Sequence, residues 1–199
     1  MEKNRLEAFS DGVLAIIITI MVLELKVPED ARNGFDALIP LIPKILSYLL
    51  SFIYVGIYWN NHHHLLKSCQ KVNGSILWAN LHLLFWLSLF PFVTAWAGEN
   101  HLQAAPLALY GIVLTMAAIA WVILLNCLLK LNSDSVLARA VKGKDFKEKI
   151  SPFLYIGGIL IAFFTPWASI SLYFIAAILW LIPDKRIERL LIEEQNKKK

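Results

Sequence analysis

The stretch Arg5–Leu25, RLEAFSDGVLAIIITIMVLEL, determines the fold class that we expect for this chain. As a helix rising about 1.5 Å per residue, its apolar part from Phe9 onward spans roughly 25 Å, which is most of the hydrocarbon core of a bilayer. The stretch has an acid near its start and no small-residue cleavage site after the apolar run. We therefore interpret it as a retained membrane span and not as a signal peptide. The conspicuously polar residues of the apolar part are Ser10, Asp11, Thr19 and Glu24.

Helical periodicity divides this first span into two faces. At about 100° per residue, Asp11 lies on nearly the opposite side of the helix from an apolar face. A carboxylate at membrane depth is costly unless it is paired, so we expect Asp11 to point into its own bundle towards a polar partner. Spacing alone leaves open whether the apolar face lines a pore or only packs. That face collects Gly12, Ile16, Thr19, Ile20 and Leu23.

The composition of the chain is that of a membrane protein. Of its 199 residues, 58% are hydrophobic and 17% charged, and the mean hydropathy is +0.59, whereas soluble domains carry about 25% charged residues. The net charge of +4 comes without a nucleic-acid-binding motif, so we expect no nucleic-acid partner. Cys69 and Cys127 show no metal or redox spacing, and we interpret both as reduced packing residues.

Breaks in hydrophobicity divide the chain into six spans, with Asn60–Asn73 expected as a polar connection. The apolar stretch 150–182 is too long for one span, and Thr165–Pro166 interrupts it, so we expect two helices there. The sequence thus predicts an all-α, polytopic membrane protein with one six-helix transmembrane domain. The expected spans are 6–26, 38–59, 74–97, 104–131, 150–165 and 167–182, followed by a charged tail over 183–199.

The positive charges predict the orientation of the chain. Six spans place both termini on one side of the membrane, and all but three of the 19 lysines and arginines belong to that side. The exceptions are Lys26, Arg32 and Lys44. Because cytoplasmic loops carry an excess of Lys and Arg, we expect a multi-pass protein of the cell membrane with both termini in the cytoplasm. The lysine-rich tail would then lie near the lipid surface.

Several motifs resemble the transmembrane protein 175 family of potassium channels. The segment Arg5-xxx-Phe9-Ser10-Asp11 resembles a signature at the start of the family's first helix. Later motifs resemble its second and third helices, and the resemblance in layout covers the whole chain. It implies a homotetramer of six-helix subunits, as in bacterial members, that conducts potassium passively and needs no cofactor. The later motifs are Trp59-Asn60-Asn61-His62-His63, Asn80 and Pro91-Phe92-Val93-Thr94.

The first helix carries the candidate pore residues. Four copies would stack Ile16, Ile20 and Leu23 as apolar rings, with a Thr19 ring between the first two. Apolar rings gate or filter by making an ion shed water, and hydroxyls replace part of its hydration shell. By resemblance, these residues match the family's hydrophobic constriction and its threonine layer. Glu24 is either an acidic ring at the outer mouth or a solvated charge at the helix end.

No Thr-Val-Gly-Tyr-Gly loop occurs in the sequence. A filter of backbone carbonyls on a re-entrant pore loop is therefore not expected. We predict a tetrameric, potassium-selective or potassium-permeable cation channel that lacks such a loop and has a hydrophobic gate.

The polar residues of the signature are predicted to hold the first helix against the second and third. The resemblance treats this network as structural and as lying outside the ion path. Its candidate members are Arg5, Phe9, Ser10, Asp11, Trp59, His62, His63 and Asn80.

The run His62-His63-His64 supports an alternative function, that of a membrane enzyme or a metal-handling protein. Imidazoles bind zinc and titrate near physiological pH. Consecutive histidines on a helix point about 100° apart, however, and no acidic or cysteine partner lies nearby in the sequence. The chain shows no phosphate loop, nucleophile elbow or zinc-protease pair, so we expect no enzyme and no metal site. A pH-sensitive structural role, and a membrane subunit without a pore, are further alternatives.

Overall fold

The computed structural model describes residues 2–28, 31–133 and 146–181, and within these ranges every regular element is helical. The prediction of an all-α fold is confirmed. The expected charged tail over 183–199 lies outside the described residues. The elements are α1 (Lys3–Leu23), a 3-10 segment (Ala31–Leu41), α2 (Ile42–Lys67), α3 (Gly74–Ser88), α4 (Phe90–Glu99), α5 (Ala104–Leu131), α6 (Phe146–Ile161) and α7 (Pro166–Leu181).

Four helical stretches are long and apolar enough to cross a membrane, as judged by length and composition. Two shorter apolar helices, Lys149–Ile161 and Pro166–Leu181, complete a set of six within the described part of the chain. A turn over 162–165 separates these two short helices, and Pro166 begins the second of them. The four long stretches are Lys3–Leu23, Gly34–Lys67, Gly74–Glu99 and Ala104–Leu131.

The second helix is longer than the sequence indicated. We expected Asn60–Asn73 to be a polar connection, but α2 continues to Lys67. Its last turns bury His62, Leu65 and Leu66, so packing against neighbouring helices outweighs the polar composition. The turn between α2 and α3 ends at Asn73. The Asn73 side chain caps α3 by accepting a hydrogen bond from the backbone N–H of Ile76 at 3.1 Å.

Pro91 interrupts the helical hydrogen bonding within the third apolar stretch, which remains one candidate membrane span over Gly74–Glu99. A proline has no N–H to donate, and its ring clashes with the carbonyl four residues earlier, here that of Leu87. The regular α-helical bonding is interrupted at Leu89, whose backbone N–H bonds the carbonyl of Trp86 at 3.3 Å. The stretch therefore forms two helices, α3 and α4.

The helices pack into one bundle. α1 packs mainly against α2, α3 and α4, and α5 packs against α3, α4 and α6. α7 contacts α2, α5 and α6. α1 thus lies on one side of the bundle, away from α6 and α7.

An aromatic cluster fills the centre of the bundle. Neighbouring rings in it lie with centroids 5.8–6.4 Å apart. The Tyr54 hydroxyl donates to the carbonyl of Tyr173 at 2.7 Å, which ties α2 to α7. Aromatic pairs of this kind add stability beyond the area that they bury. The cluster consists of Tyr54, Phe90, Tyr110, Tyr155 and Tyr173.

The two ends of the bundle are fixed by different contacts. At the end that carries the N-terminus, Lys3 Nζ donates to the carbonyl of Cys69 at 3.2 Å, and the side chain of Asn132 bonds the backbone of the 68–73 turn. We call this the N-terminal end. At the opposite end, Lys44 and Glu99 form an ion pair at 3.2 Å between α2 and α4.

Candidate pore helix and its polar anchor

The apolar face of α1 points away from the bundle. Ile16, Ile20 and Leu23 are 58%, 43% and 76% exposed, and Gly12 and Thr19 on the same face are also exposed. The opposite face is buried against α2, α3 and α4. The single subunit therefore leaves the candidate pore face exposed. The buried residues of α1 are Leu6, Ser10, Leu14, Ile17 and Met21.

The Thr19 hydroxyl is oriented by its own helix. It donates to the carbonyl of Ala15 at 2.6 Å and lies 3.1 Å from that of Ile16. A hydroxyl that donates its proton backwards keeps its oxygen lone pairs for another partner. On an exposed face, that oxygen can accept a hydrogen bond from water or contact a cation.

A buried chain of hydrogen bonds holds the other side of α1. The amide nitrogen of Asn80 on α3 donates to the Ser10 hydroxyl at 3.0 Å, and this hydroxyl donates to the carbonyl of Leu6 at 2.8 Å. The amide oxygen of Asn80 lies 2.7 Å from Nε2 of His62 on α2. Since the amide nitrogen is already a donor, the oxygen accepts, and Nε2 of His62 carries the proton. We call Ser10, His62 and Asn80 the buried anchor.

Two contacts at the margin of the buried anchor join α1 to α2. The indole N–H of Trp59 donates to Asp11 Oδ1 at 3.0 Å. One turn earlier on α1, Glu7 Oε1 lies 3.0 Å from Nδ1 of His63. The rings of Trp59 and His63 stack with centroids 6.4 Å apart. α1 thus presents two carboxylates to one face of α2.

The structure does not bring together every residue of the expected network. Arg5 is exposed and its side chain forms no hydrogen bond or ion pair with the residues described here, and Phe9 is 53% exposed. Glu7 takes part although we had found no acidic partner for the histidines. The signal was its position four residues before Asp11, which places both acids on one helix face. Glu24 is the C-cap of α1 and lines a small crevice with Lys44.

The histidines bind protein groups. His62 contacts Asn80, and His63 contacts Glu7. Over residues 2–28, 31–133 and 146–181, no group of three or more His, Cys, Asp and Glu side chains is arranged to hold a metal ion. The described geometry thus gives the metal-handling alternative no support.

Comparison with known sequences identifies relatives over nearly the full chain. Residues 5–91 match the family described as the endosomal/lysosomal potassium channel TMEM175. A potassium channel of Chryseobacterium sp. (strain P1-3) is 58% identical over 97% of this chain and 100% of its own length. A potassium channel of Chamaesiphon minutus is 32% identical over 89% of this chain and 92% of its own. The human endosomal/lysosomal proton channel TMEM175 is 37% identical over 38% of this chain and 17% of its own.

Comparison of folds gives the same result. The crystal structure of a lysosomal potassium-selective channel TMEM175 homolog from Chamaesiphon minutus superposes with a TM-score of 0.77 at 28% identity. The match covers 90% of this chain and 96% of that one. Two relatives above 30% identity cover most of both chains, and this solved structure shares the fold. The chain therefore belongs to the TMEM175 family of potassium channels.

Proposed function

We propose that this chain is the subunit of a potassium channel that conducts passively through a pore lined by α1. The bacterial relatives that cover most of the chain are named potassium channels. One structural observation carries the assignment to α1. Its Ile16/Thr19/Ile20/Leu23 face is exposed along its length, while the opposite face is held against three helices.

In the proposed pore, four copies of α1 surround one axis. Ile16, Ile20 and Leu23 each contribute an apolar ring, and Thr19 contributes a ring of hydroxyl oxygens. A hydrated cation loses water at an apolar ring, and the hydroxyl oxygens replace part of its shell. Potassium is less strongly hydrated than sodium, so it crosses such a constriction at a smaller cost. The permeant ion in this proposal is potassium, with no further cofactor and no catalytic role.

The homotetramer of this proposal is supported by the shape of the subunit. A ring of identical subunits needs each copy to offer the same face to the axis. The buried anchor fixes the rotation of α1 about its own axis, since Ser10 on α1 bonds Asn80 on α3. Gly12 is exposed on the pore face and adds no bulk there, so the end near it would be wider.

We further propose that both termini are cytoplasmic. Lys3 on α1 and the lysines at 67 and 71 meet at the N-terminal end of the bundle, while Glu24 and Glu99 lie at the opposite end. The positive-inside rule then assigns the N-terminal end to the cytoplasm. Glu24 would lie near the outer mouth.

Ion flux into liposomes tests the proposal. Purified protein is reconstituted, and potassium-driven flux is compared with sodium-driven flux for the wild type and for Ile16→Asn. A matched control is Ile112→Asn, which makes the same change at an exposed isoleucine of α5. We expect wild-type flux to be larger for potassium, and Ile16→Asn to change the rates and reduce the potassium preference. Ile112→Asn should leave both unchanged.

Two results would contradict the proposal. Absence of flux from folded, oligomeric protein would leave the likeness to the family as one of fold. An equal effect of Ile16→Asn and Ile112→Asn on ion flux would show that α1 does not line the ion path. Metal analysis then separates the alternative function, since stoichiometric zinc, copper or iron that disappears in His63→Ala would favour a metal-handling protein.

A further inference from the structure

A cavity of about 580 Å³ lies on the side of the bundle away from α1. Its walls come from α2, α5, α6 and α7, and α1 contributes no lining residue. The volume falls within the roughly 300–1,000 Å³ typical of sites for small molecules. Ile119, Val122 and Ile156 belong to its lining and are each 45–49% exposed, so the cavity opens sideways through the surface of the bundle.

The cavity is long and differs in polarity between its ends. Along α5 its lining runs from Thr115 to Leu129, a rise of about 20 Å. Near the middle of the bundle the walls are mainly aliphatic and aromatic. The amide side chains of the lining, Asn61 and Asn126, lie in the last two turns of α2 and α5, towards the N-terminal end. Thr115 lines the other end, but its hydroxyl donates to the carbonyl of Gly111 in its own helix at 2.8 Å. An amphiphile lying along a membrane protein has the same layout, with its chain at mid-membrane and its polar group near the interface.

Three polar groups in the lining have unused hydrogen-bonding capacity. The amides of Asn61 and Asn126 form no hydrogen bond with any residue of the described chain, and neither does the hydroxyl of Tyr58, whose side chain is 9% exposed. An amide on a membrane-facing helix is costly without a partner. These groups supply both donors and acceptors, which suits hydroxyl and ester groups.

The charge of the lining restricts the ligand further. The described residues that line the cavity include no lysine, arginine, histidine, aspartate or glutamate. A phosphate or a carboxylate would have no counter-ion there, and transfer of a charged group into such a site is unfavourable. The lining instead combines aliphatic and aromatic surface with neutral hydrogen-bonding groups.

We propose that this cavity binds an uncharged lipid, with its chain between α2, α5 and α6 and its hydroxyl or ester groups on Asn61 and Asn126. The site is separate from the proposed pore, because α1 contributes nothing to the lining. A diacylglycerol has the required chemistry, and it serves as the probe.

Photolabelling of the reconstituted full-length protein tests the site. The liposomes contain a diacylglycerol with a photoreactive group in its acyl chain, and the labelled positions are mapped by peptide mass spectrometry. Ala118→Trp fills the apolar part of the cavity, and Ile112→Trp makes the matching addition to α5 outside the lining. We expect labels on the cavity walls of α2, α5 and α6, a strong loss with Ala118→Trp, and no loss with Ile112→Trp.

A second variant keeps the test valid if Ala118→Trp does not fold. The double change Asn61→Leu with Asn126→Leu preserves the volume of the cavity but removes its hydrogen-bonding groups. Loss of one or two hydrogen bonds should lower specific labelling roughly tenfold. Labels scattered over all lipid-facing helices, or labelling unaffected by both variants, would overturn the proposal. A photoreactive phosphatidylglycerol or fatty acid that labels the cavity as strongly as the diacylglycerol would overturn the assignment to an uncharged lipid.

Discussion

Asn80 joins three helices through its two amide atoms, because it donates to Ser10 on α1 and accepts from His62 on α2. All three side chains are almost fully buried, at 0–1% exposure. In Asn80→Ala the His62 N–H loses its partner in a buried setting, which costs about 1–3 kcal/mol. We expect a lower unfolding temperature of the purified protein. Asn4→Ala makes the same change at an exposed position of α1 and should have little effect.

The Asn80 variant also distinguishes an anchor from an ion-path residue. Purified Asn80→Ala that remains folded should keep its preference for potassium over sodium, because the buried anchor lies on the face of α1 opposite Ile16. A preserved unfolding temperature combined with altered ion preference would contradict the anchor assignment.

The pH dependence of thiol reactivity tests the burial of Cys69, which lies outside the membrane spans. The residue is 2% exposed in the turn between α2 and α3, and burial raises the pKa of its thiol to about 11, although nearby Lys3 acts in the opposite direction. The reactive thiolate is then about one part in a thousand at pH 8. We expect alkylation by iodoacetamide, measured in a Cys127→Ser background, to be slow at pH 8 and to rise about tenfold per pH unit towards pH 11.

The raised pKa also sets the sign of a stability effect. A thiol that holds its proton more tightly when folded favours the folded state below its ordinary pKa, and this contribution is lost as the pH rises towards 11. Protein unfolded in detergent serves as the control, since its thiol should react with an ordinary pKa. A fast reaction of folded protein at pH 8 would contradict the burial of Cys69.

Sequence reasoning could collect the polar residues of α1 to α3 but could not pair them. Asp11 was expected to find a polar partner, and its partner is Trp59. The pairing of Glu7 with His63 was missed because it depends on how far α1 is rotated against α2, which spacing within one helix does not determine. The exposure of Arg5 and Phe9 was missed for the same reason, because the signature specifies residue types and not the side from which a neighbouring helix approaches.

At the scale of the elements, two adjacent glycines of α6 differ in their surroundings. A Cβ on Gly158 would overlap the ring of Tyr173, whereas a Cβ on Gly157 would only touch Leu172 at 3.7 Å. Both substitutions to alanine gain the same helix propensity, up to about 1 kcal/mol. We expect Gly158→Ala to destabilise the α6–α7 pair by about 1–3 kcal/mol through overpacking, and Gly157→Ala to be neutral or stabilising.

Thermal unfolding of the two glycine variants, measured side by side in one detergent, checks this difference. Tyr173 also bonds the carbonyl of Leu107 through its hydroxyl, so its ring cannot move away from α6 without losing that contact. Equal unfolding temperatures for the two variants would show that α6 and α7 do not pack through Tyr173.

The elements themselves were more predictable than their ends. Apolar runs located the helices because a bilayer demands continuous helical hydrogen bonding, whatever the neighbours are. The end of α2 was placed too early because Asn60–His64 are polar, yet His62 is buried by contacts with other helices. Pro91 was quoted as part of a motif, but its ability to break α3 from α4 was not used. The short α6 and α7 were expected from Pro166 and from the length of the apolar stretch.

At the scale of the whole molecule, one chain cannot display the axis of an assembly. An apolar helix face that meets lipid has the same composition as one that meets other subunits, because lipid tails are as apolar as Leu. In the proposed assembly, the oriented Thr19 hydroxyl and the exposed Gly12 of this face would lie at a water-filled axis.

Cross-linking between subunits tests that axis directly. Leu23 is 76% exposed at the last turn of α1, where four copies would form the outermost apolar ring. In a background of Cys69→Ala and Cys127→Ser, Leu23→Cys should be joined by a short bismaleimide into covalent dimers of twice 22.6 kDa. Larger species should not form, because each cysteine reacts once. Ile112→Cys on α5, the matched exposed position, should remain monomeric in the same oligomer. Equal cross-linking at both positions, or none at Leu23→Cys in an intact oligomer, would place the axis elsewhere and leave α1 facing lipid.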